Sequence, residues 1–356
     1  MTRKLLKNGS IRRNRNSTWS SPSFVVKKPG KSGRHVDHYR WTIDLRWVNS
    51  QCERIAGCLP VLEVVMEHLE GSSVYASLDA HKGYWQFPLH PDSQEMCSFV
   101  THEGVFTPTR LLQGHQDSVM AFQSGMEDAM GDLLYKNVLV WIDDLLAFAS
   151  DVDSLFDALE KIFARLREYN IKLNPMKTDL LLREVSWCGR LISAMGTRFD
   201  PALIQGLVDL ELPRTAAELQ QFLCAANWIR ISIPSYASAV EKLSLMLKTS
   251  QRSVSSSRRS KLRNVKLEWD SEEEMAFGRV KELLANSVQL AHFRSSEDCA
   301  LCLFTDASDR HWGVALTQCP VSDLSLPVVD QRHEALAFLS GSFSGSQLRW
   351  SVIEKE

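Results

Sequence analysis

Hydrophobic positions along the chain fall into short runs and longer periodic stretches. Runs at residues 23–28, 41–45 and 74–78 predict strands, the first closed by the turn pair Pro29-Gly30. Residues 61–69 carry apolar side chains at 61, 62, 64, 65, 66 and 69, a spacing suited to a packed helix. Residues 138–142 and 145–149 are apolar runs parted only by Asp143-Asp144, which predicts a two-residue hairpin. Apolar positions 152, 155, 156, 159, 162, 163 and 166 then follow the stripe of an amphipathic helix capped by Asp151 or Ser150, and Asn174-Pro175 ends that unit. Thr215-Ala216-Ala217-Glu218 and Ser271-Glu272-Glu273-Glu274 have capping-box form and predict helices near 215–230 and 271–285. A further strand is expected over 300–304, ending at Thr305-Asp306.

Composition narrows the class. The 356 residues are 44% hydrophobic and 24% charged, which excludes wholesale disorder and predicts two or three domains. The net charge of −2 conceals an asymmetry. Residues 1–40 hold eleven basic side chains against Asp37 alone, so a +10 segment precedes a −12 remainder. That suggests a polyanion contact or a solvated arm, and charge alone leaves both open. Residues 248–266 hold seven Lys or Arg, no acid and a Ser-rich core, which reads as an exposed linker. Cys299 and Cys302 form a CxxC with no second pair at zinc-ribbon spacing, so buried thiols are expected rather than a metal site. No apolar run approaches the ~20 residues of a membrane span, and Met1 is not followed by an apolar signal segment. A reduced, intracellular protein of cytoplasm or nucleus is expected.

Three acids then change the picture. Asp143-Asp144 sits between two apolar strands, as a solvated turn or as a cation site. Asp79 ends the apolar stretch Tyr75-Ala76-Ser77-Leu78, where it suits a cap, a turn or a ligand. Together the three suit two divalent cations ~4 Å apart, the arrangement that activates a 3′-hydroxyl and stabilises a leaving pyrophosphate. Mg²⁺ fits such an all-oxygen site, with Mn²⁺ as the alternative.

The surrounding residues resemble a known family. Ser77-Leu78-Asp79-Ala80-His81-Lys82-Gly83-Tyr84-Trp85-Gln86 is similar to motif A of reverse transcriptases. Leu112-Gln113-Gly114-His115 through Ala121-Phe122-Gln123-Ser124-Gly125-Met126 is similar to motif B. Trp141-Ile142-Asp143-Asp144 resembles motif C, Leu173-Asn174-Pro175-Met176-Lys177 motif D, and Val185-Ser186-Trp187-Cys188-Gly189 motif E. Order and spacing resemble the gypsy-type LTR retrotransposon Pol polyprotein along essentially the whole chain. The resemblance implies an α+β right-hand fingers and palm over 1–195 and a thumb-like connection over 196–250. A basic linker over 251–266 and a helix with a truncated RNase H-like α/β domain over 267–356 would follow.

It also implies a function, RNA-directed DNA polymerase, acting on an RNA or DNA template with primer and on dNTPs. Asp79, Asp143 and Asp144 match the catalytic metal-binding triad, Arg40 a fingers residue that contacts the triphosphate, and Tyr84 the steric gate against a 2′-hydroxyl. Gln113 and Gly114 match a loop packed on nucleotide and template, and Lys177 a residue near the leaving phosphate. Arg46 and Asn49 suit structural support, and Phe222, Leu223 and Trp228 suit core packing. Asp306 and Glu356 match the first two acids of an RNase H site whose later acids do not follow, so no ribonuclease H activity is expected. The fingers match is short at its front. Trp141, Val119 and Leu45 depart from the motifs without removing a metal ligand. The alternative reading is a catalytically inactive, nucleic-acid-binding remnant of such a polyprotein.

Overall fold

A computed structural model describes residues 2–27, 39–57 and 59–355. The chain divides into two compact units, Met1–Arg183 and Glu184–Glu356. The division falls before the domain boundary read at residue 195.

The first unit holds β1 (Ile11–Arg13), β2 (Ser21–Lys27), β3 (Tyr39–Ile43), β4 (Val74–Asp79), β5 (Phe99–Thr101), β6 (Gly104–Pro108), β7 (Val138–Trp141), β8 (Asp144–Ala149) and β9 (Asp179–Leu182). One sheet has the order β1-β6-β5-β2-β3, with β2 and β5 parallel. The other has the order β7-β8-β4-β9 and is antiparallel throughout.

The second sheet owes its stability to its apolar strands. Val74, Ala76, Leu78, Val138, Val140, Leu145 and Ala147 are buried in one core with Phe122, Met126 and Met130 of the helix Ser118–Met130. Leu155, Leu159, Ile162 and Leu166 close that core from the helix Val152–Glu168, which Asp151 caps by accepting from the Ser154 N–H at 2.9 Å. The stripe is narrower than its pattern, because Val152, Phe156 and Phe163 are exposed.

The described part of the basic N-terminal segment, residues 2–27, is folded. It forms the helix Thr2–Lys7, β1 and β2, with Leu5 and Ile11 buried. Arg13 donates to the Glu103 carbonyl at 2.9 Å and lies over the Phe106 ring. Burying two apolar anchors gives this segment a place that charge counting does not see. The turn pair Pro29-Gly30 lies outside the described residues.

The second unit begins with a meander of β10 (Glu184–Trp187), β11 (Arg190–Ser193) and β12 (Gly196–Phe199). Cys188 and Gly189, both at positive φ, make the first turn, the backbone shape that suits a twisted two-residue hairpin. The helix Ala216–Ile229 carries the capping box anticipated at Thr215 and Glu218. The helix Ser271–Ala285 is capped one residue earlier than expected, by Asp270 with Glu273 as its reciprocal partner. Phe222 meets Phe277 with centroids 4.7 Å apart and rings tilted by 52° between these helices, whereas Trp228 is exposed rather than core.

The Ser-rich basic segment is largely exposed, as expected, but part of it is helical and anchored. Helix Glu241–Ser253 runs into it, Arg259–Leu262 is helical, and Leu262 is buried with Ala216 and Ala217. One leucine among the charges anchors it. The unit ends in an antiparallel sheet of β13 (Cys299–Ala307), β14 (His311–Pro320) and β15 (Glu334–Ser342). Among the described residues no helix is long and apolar enough to cross a membrane.

Candidate active site

The site is built where β4 ends beside the β7–β8 hairpin. Trp141 pairs with Asp144, so the turn residues are Ile142 and Asp143, and Asp144 is the first residue of β8. This corrects the Asp143-Asp144 turn by one residue. The correction matters, because Asp144 pairs in register with Asp79. Directly opposed residues on antiparallel strands share one face, so the two side chains emerge together. Asp143 is tied to the same strand end, its carbonyl accepting from the Ala80 N–H at 2.9 Å.

Ile142 holds the turn at φ 56°, a left-handed conformation that costs a β-branched residue about 1–3 kcal/mol. Gln123 stabilises it. Its buried side chain accepts from the Ile142 N–H at 2.7 Å through Oε1 and donates through Nε2 to the Val140 carbonyl at 3.1 Å. Gln123 lies within motif B, and its role is invisible in the sequence because the fold brings that helix beneath the hairpin. Gln123→Ala should cost about 1–3 kcal/mol by leaving the part-buried Ile142 N–H and the buried Val140 carbonyl without this partner. Urea denaturation checks this, and an unchanged midpoint would remove Gln123 from the account.

Asp79 faces a cation of its own chain. Lys177 Nζ lies 2.7 Å from Asp79 Oδ2, and the Asn174 N–H donates to the Asp79 carbonyl at 2.8 Å. The bond to Asp79 raises the Lys177 pKa and keeps the ammonium charged. Asp144 is pushed up to about 6, first by burial and then by Asp143 and Asp79. Among the described residues, Lys177 is the cation that acts on Asp144, set against the charges of Asp143 and Asp79. An all-oxygen donor set suits a hard divalent cation. Among the described residues, these aspartates are not the group whose ligand atoms already lie within 4.8 Å of one another; that group is Cys302, Cys319 and His333.

Tyr84 is half-buried on the 3₁₀ turn Gly83–Gln86 and stacks on Phe122 with centroids 5.0 Å apart. Burial, then the Asp143 charge, raises its pKa, which marks the phenol as belonging to the same neighbourhood. Gly83 is required there, because a Cβ would run into the Phe122 ring. Gln86 fixes the other side, joining the His81 and Lys172 carbonyls and the Lys172 N–H.

The remaining expected residues lie on neighbouring elements. Gly114, at φ +102°, offers its carbonyl to Asn49 Nδ2 at 2.8 Å, and Asn49 Oδ1 accepts from the Gln116 N–H. Asn49 thus shapes the loop that exposes Gln113. Arg46 forms a two-pronged pair with Asp44, which holds that carboxyl at about 2. Arg40 is exposed on β3, opposite Val26. In the second unit Asp306 lies inside β13 rather than after it, exposed and opposite Gly313. Its expected partner Glu356 lies outside the described residues.

A four-stranded antiparallel sheet that joins one strand-end aspartate to an aspartate-bearing hairpin, over two helices, is a polymerase palm. Residues 26–192 match the family described as reverse transcriptase (RNA-dependent DNA polymerase). Residues 269–356 match the RNase H-like domain found in reverse transcriptase. The chain thus carries a reverse transcriptase domain followed by an RNase H-like domain, and it is similar to retrotransposon Pol polyproteins over most of its length.

It is 27% identical over 355 residues to the Retrovirus-related Pol polyprotein from transposon 297 of Drosophila melanogaster, covering 99% of this chain and 30% of that one. It is 26% identical over 319 residues to the polyprotein from transposon gypsy of the same organism, covering 89% and 30%. The chain thus spans about a third of these relatives' length. The structure of a foamy viral protease-reverse transcriptase in complex with RNA/DNA hybrid superposes with a TM-score of 0.80 at 21% identity, covering 99% of this chain and 43% of that one.

Proposed function

We propose that the chain is an RNA-directed DNA polymerase that joins dNTPs to a primer 3′-hydroxyl. The observation that carries this reading is the register Asp79↔Asp144, which brings two motifs distant in sequence to one face beside Asp143. Asp79, Asp143 and Asp144 would hold two divalent ions, Mg²⁺ or Mn²⁺. Such ions, when bound, lower the pKa of the attacking hydroxyl and offset charge on the leaving pyrophosphate.

The chain's own residues supply the rest. Lys177, kept protonated by Asp79, serves as the acid for the leaving pyrophosphate once the carboxylate is drawn to another cation. Tyr84, braced by Phe122, presents a ring edge against the sugar and excludes a 2′-hydroxyl. Gln113 and Gly114 line the nucleotide and template, and Arg40 meets the triphosphate from β3. The neighbour's bound RNA/DNA hybrid supports a template–primer duplex as the partner.

The test is primer extension on an RNA template with Mg²⁺. Extension by the wild-type chain is expected, and Tyr84→Ala should accept ribonucleotides at least ~10-fold more readily, the least that one lost steric contact of ~1.4 kcal/mol returns. Salt-sensitive binding to the duplex without extension would favour the inactive, nucleic-acid-binding reading instead.

A further inference from the structure

We propose that Cys302, Cys319 and His333 form a structural site for a thiophilic cation, Zn²⁺, in the RNase H-like sheet. Cys302 pairs with Thr317 across β13 and β14, and Cys319 lies two residues beyond Thr317. Cross-strand partners share a face, and so do residues two apart on a strand, so both sulfurs emerge on the same side. The separation of Cys299 from Cys302 is odd, which turns Cys299 to the opposite face. The ligand pair is therefore not the CxxC visible in the sequence, and its true partner comes from the neighbouring strand.

The spacing fits a shared ion. The Cys302 and Cys319 Sγ atoms are 3.6 Å apart, and a His333 ring nitrogen lies within 4.8 Å of each. Two thiolates on a tetrahedral zinc at ~2.3 Å stand about 3.8 Å apart, whereas a disulfide needs ~2.05 Å. Cys319 is fully buried and Cys302 and His333 are half-buried, so water competes weakly for the position. Two thiolates and an imidazole select zinc over the hard cations that suit the aspartates.

The third ligand is held in advance. Arg332 makes a two-pronged pair with the buried Asp323, both bonds at 2.8 Å, and its N–H donates to the same carboxylate. Gln331 donates to the Leu326 carbonyl at 2.9 Å. The loop before β15 is thereby pinned at residues 331 and 332, just ahead of His333. His333 Nδ1 meets the Thr317 hydroxyl at 2.9 Å and Nε2 meets Gln331 Oε1 at 2.8 Å. One of these partners can keep its nitrogen and orient the ring while the other nitrogen turns to the ion, as outer partners of metal-bound histidines do. Binding releases both thiol protons, leaving two thiolates, a neutral imidazole and a fourth position for water.

The experiment uses the full chain, stripped with a chelator under reducing conditions and reloaded with Zn²⁺ in excess Mg²⁺. Bound zinc is measured by mass spectrometry of the desalted protein. About one zinc per chain is expected. Cys302→Ser with Cys319→Ser should abolish it, and His333→Ala should weaken it at least ~10-fold. Cys224→Ser, at an exposed cysteine elsewhere in the unit, should retain it. Should the double variant fail to fold, Co²⁺ loaded into the wild-type chain decides: a thiolate-to-cobalt charge-transfer band supports the site, and its absence overturns it. Wild-type zinc no higher than that of a folded double variant overturns it. So does an intact mass two hydrogens lighter, with Cys302 and Cys319 joined in one peptide.

Discussion

Phe122→Ala is expected to destabilise the first unit by about 3–5 kcal/mol, the usual cost of removing a fully buried phenyl ring. Phe122 is 0% exposed and touches two layers at once. Its inner face belongs to the core beneath β4, β7 and β8. Its outer face stacks on Tyr84, and Phe87 meets it edge-on at 4.8 Å. The close approach depends on Gly83 and Gly125, where a Cβ would strike Phe122 and Phe87 respectively. The cavity has few ways to collapse, since rigid sheet lies on one side and rings on the other. Urea denaturation measures the loss. Phe156→Ala, on an exposed stretch of the helix Val152–Glu168, should shift stability by no more than ~0.5 kcal/mol. Equal effects from the two variants would mean that the ring under Tyr84 does not brace the site.

Much of this site was legible in the sequence because its elements are locally consistent. The strands carrying Asp79 and Asp144 are apolar runs of ordinary length, and Asp151 announces the next helix by both position and chemistry. Strand pairing was not legible. That Asp79 faces Asp144 is a register, set by which apolar faces meet across the sheet. The one-residue shift of the hairpin turn has a similar origin. It places Ile142 in an unfavourable backbone region that a buried glutamine from another element helps to sustain. The basic segments were only partly legible, for a different reason. Charge predicts solvation, but Leu5, Ile11 and Leu262 each bury one apolar side chain and draw their charged neighbours into structure.

Asp143→Asn should leave the fold intact and reduce primer extension by about 10²–10³-fold, the loss typical of one electrostatic group at a reacting centre. The substitution keeps shape and removes charge. The Asp143 backbone, through its carbonyl bond to Ala80, is untouched, so the hairpin stays in register. The remaining carboxylates change as well. Asp144 titrates high partly because of Asp143, and Lys177 would face one negative charge fewer. Phe122→Ala acts through packing and Asp143→Asn through charge, so only the first should lower the denaturation midpoint.

Asp79 and Asp144 on one face, with Asp143 beside them, are proposed to carry out nucleotidyl transfer. The most direct measurement of this is single-turnover dNTP addition to an RNA-templated primer by the wild-type and Asp143→Asn chains, with duplex affinity measured in parallel. Equal affinity and a rate lower by about 10²–10³-fold in the variant are expected. Equal rates at equal affinity would contradict the assignment.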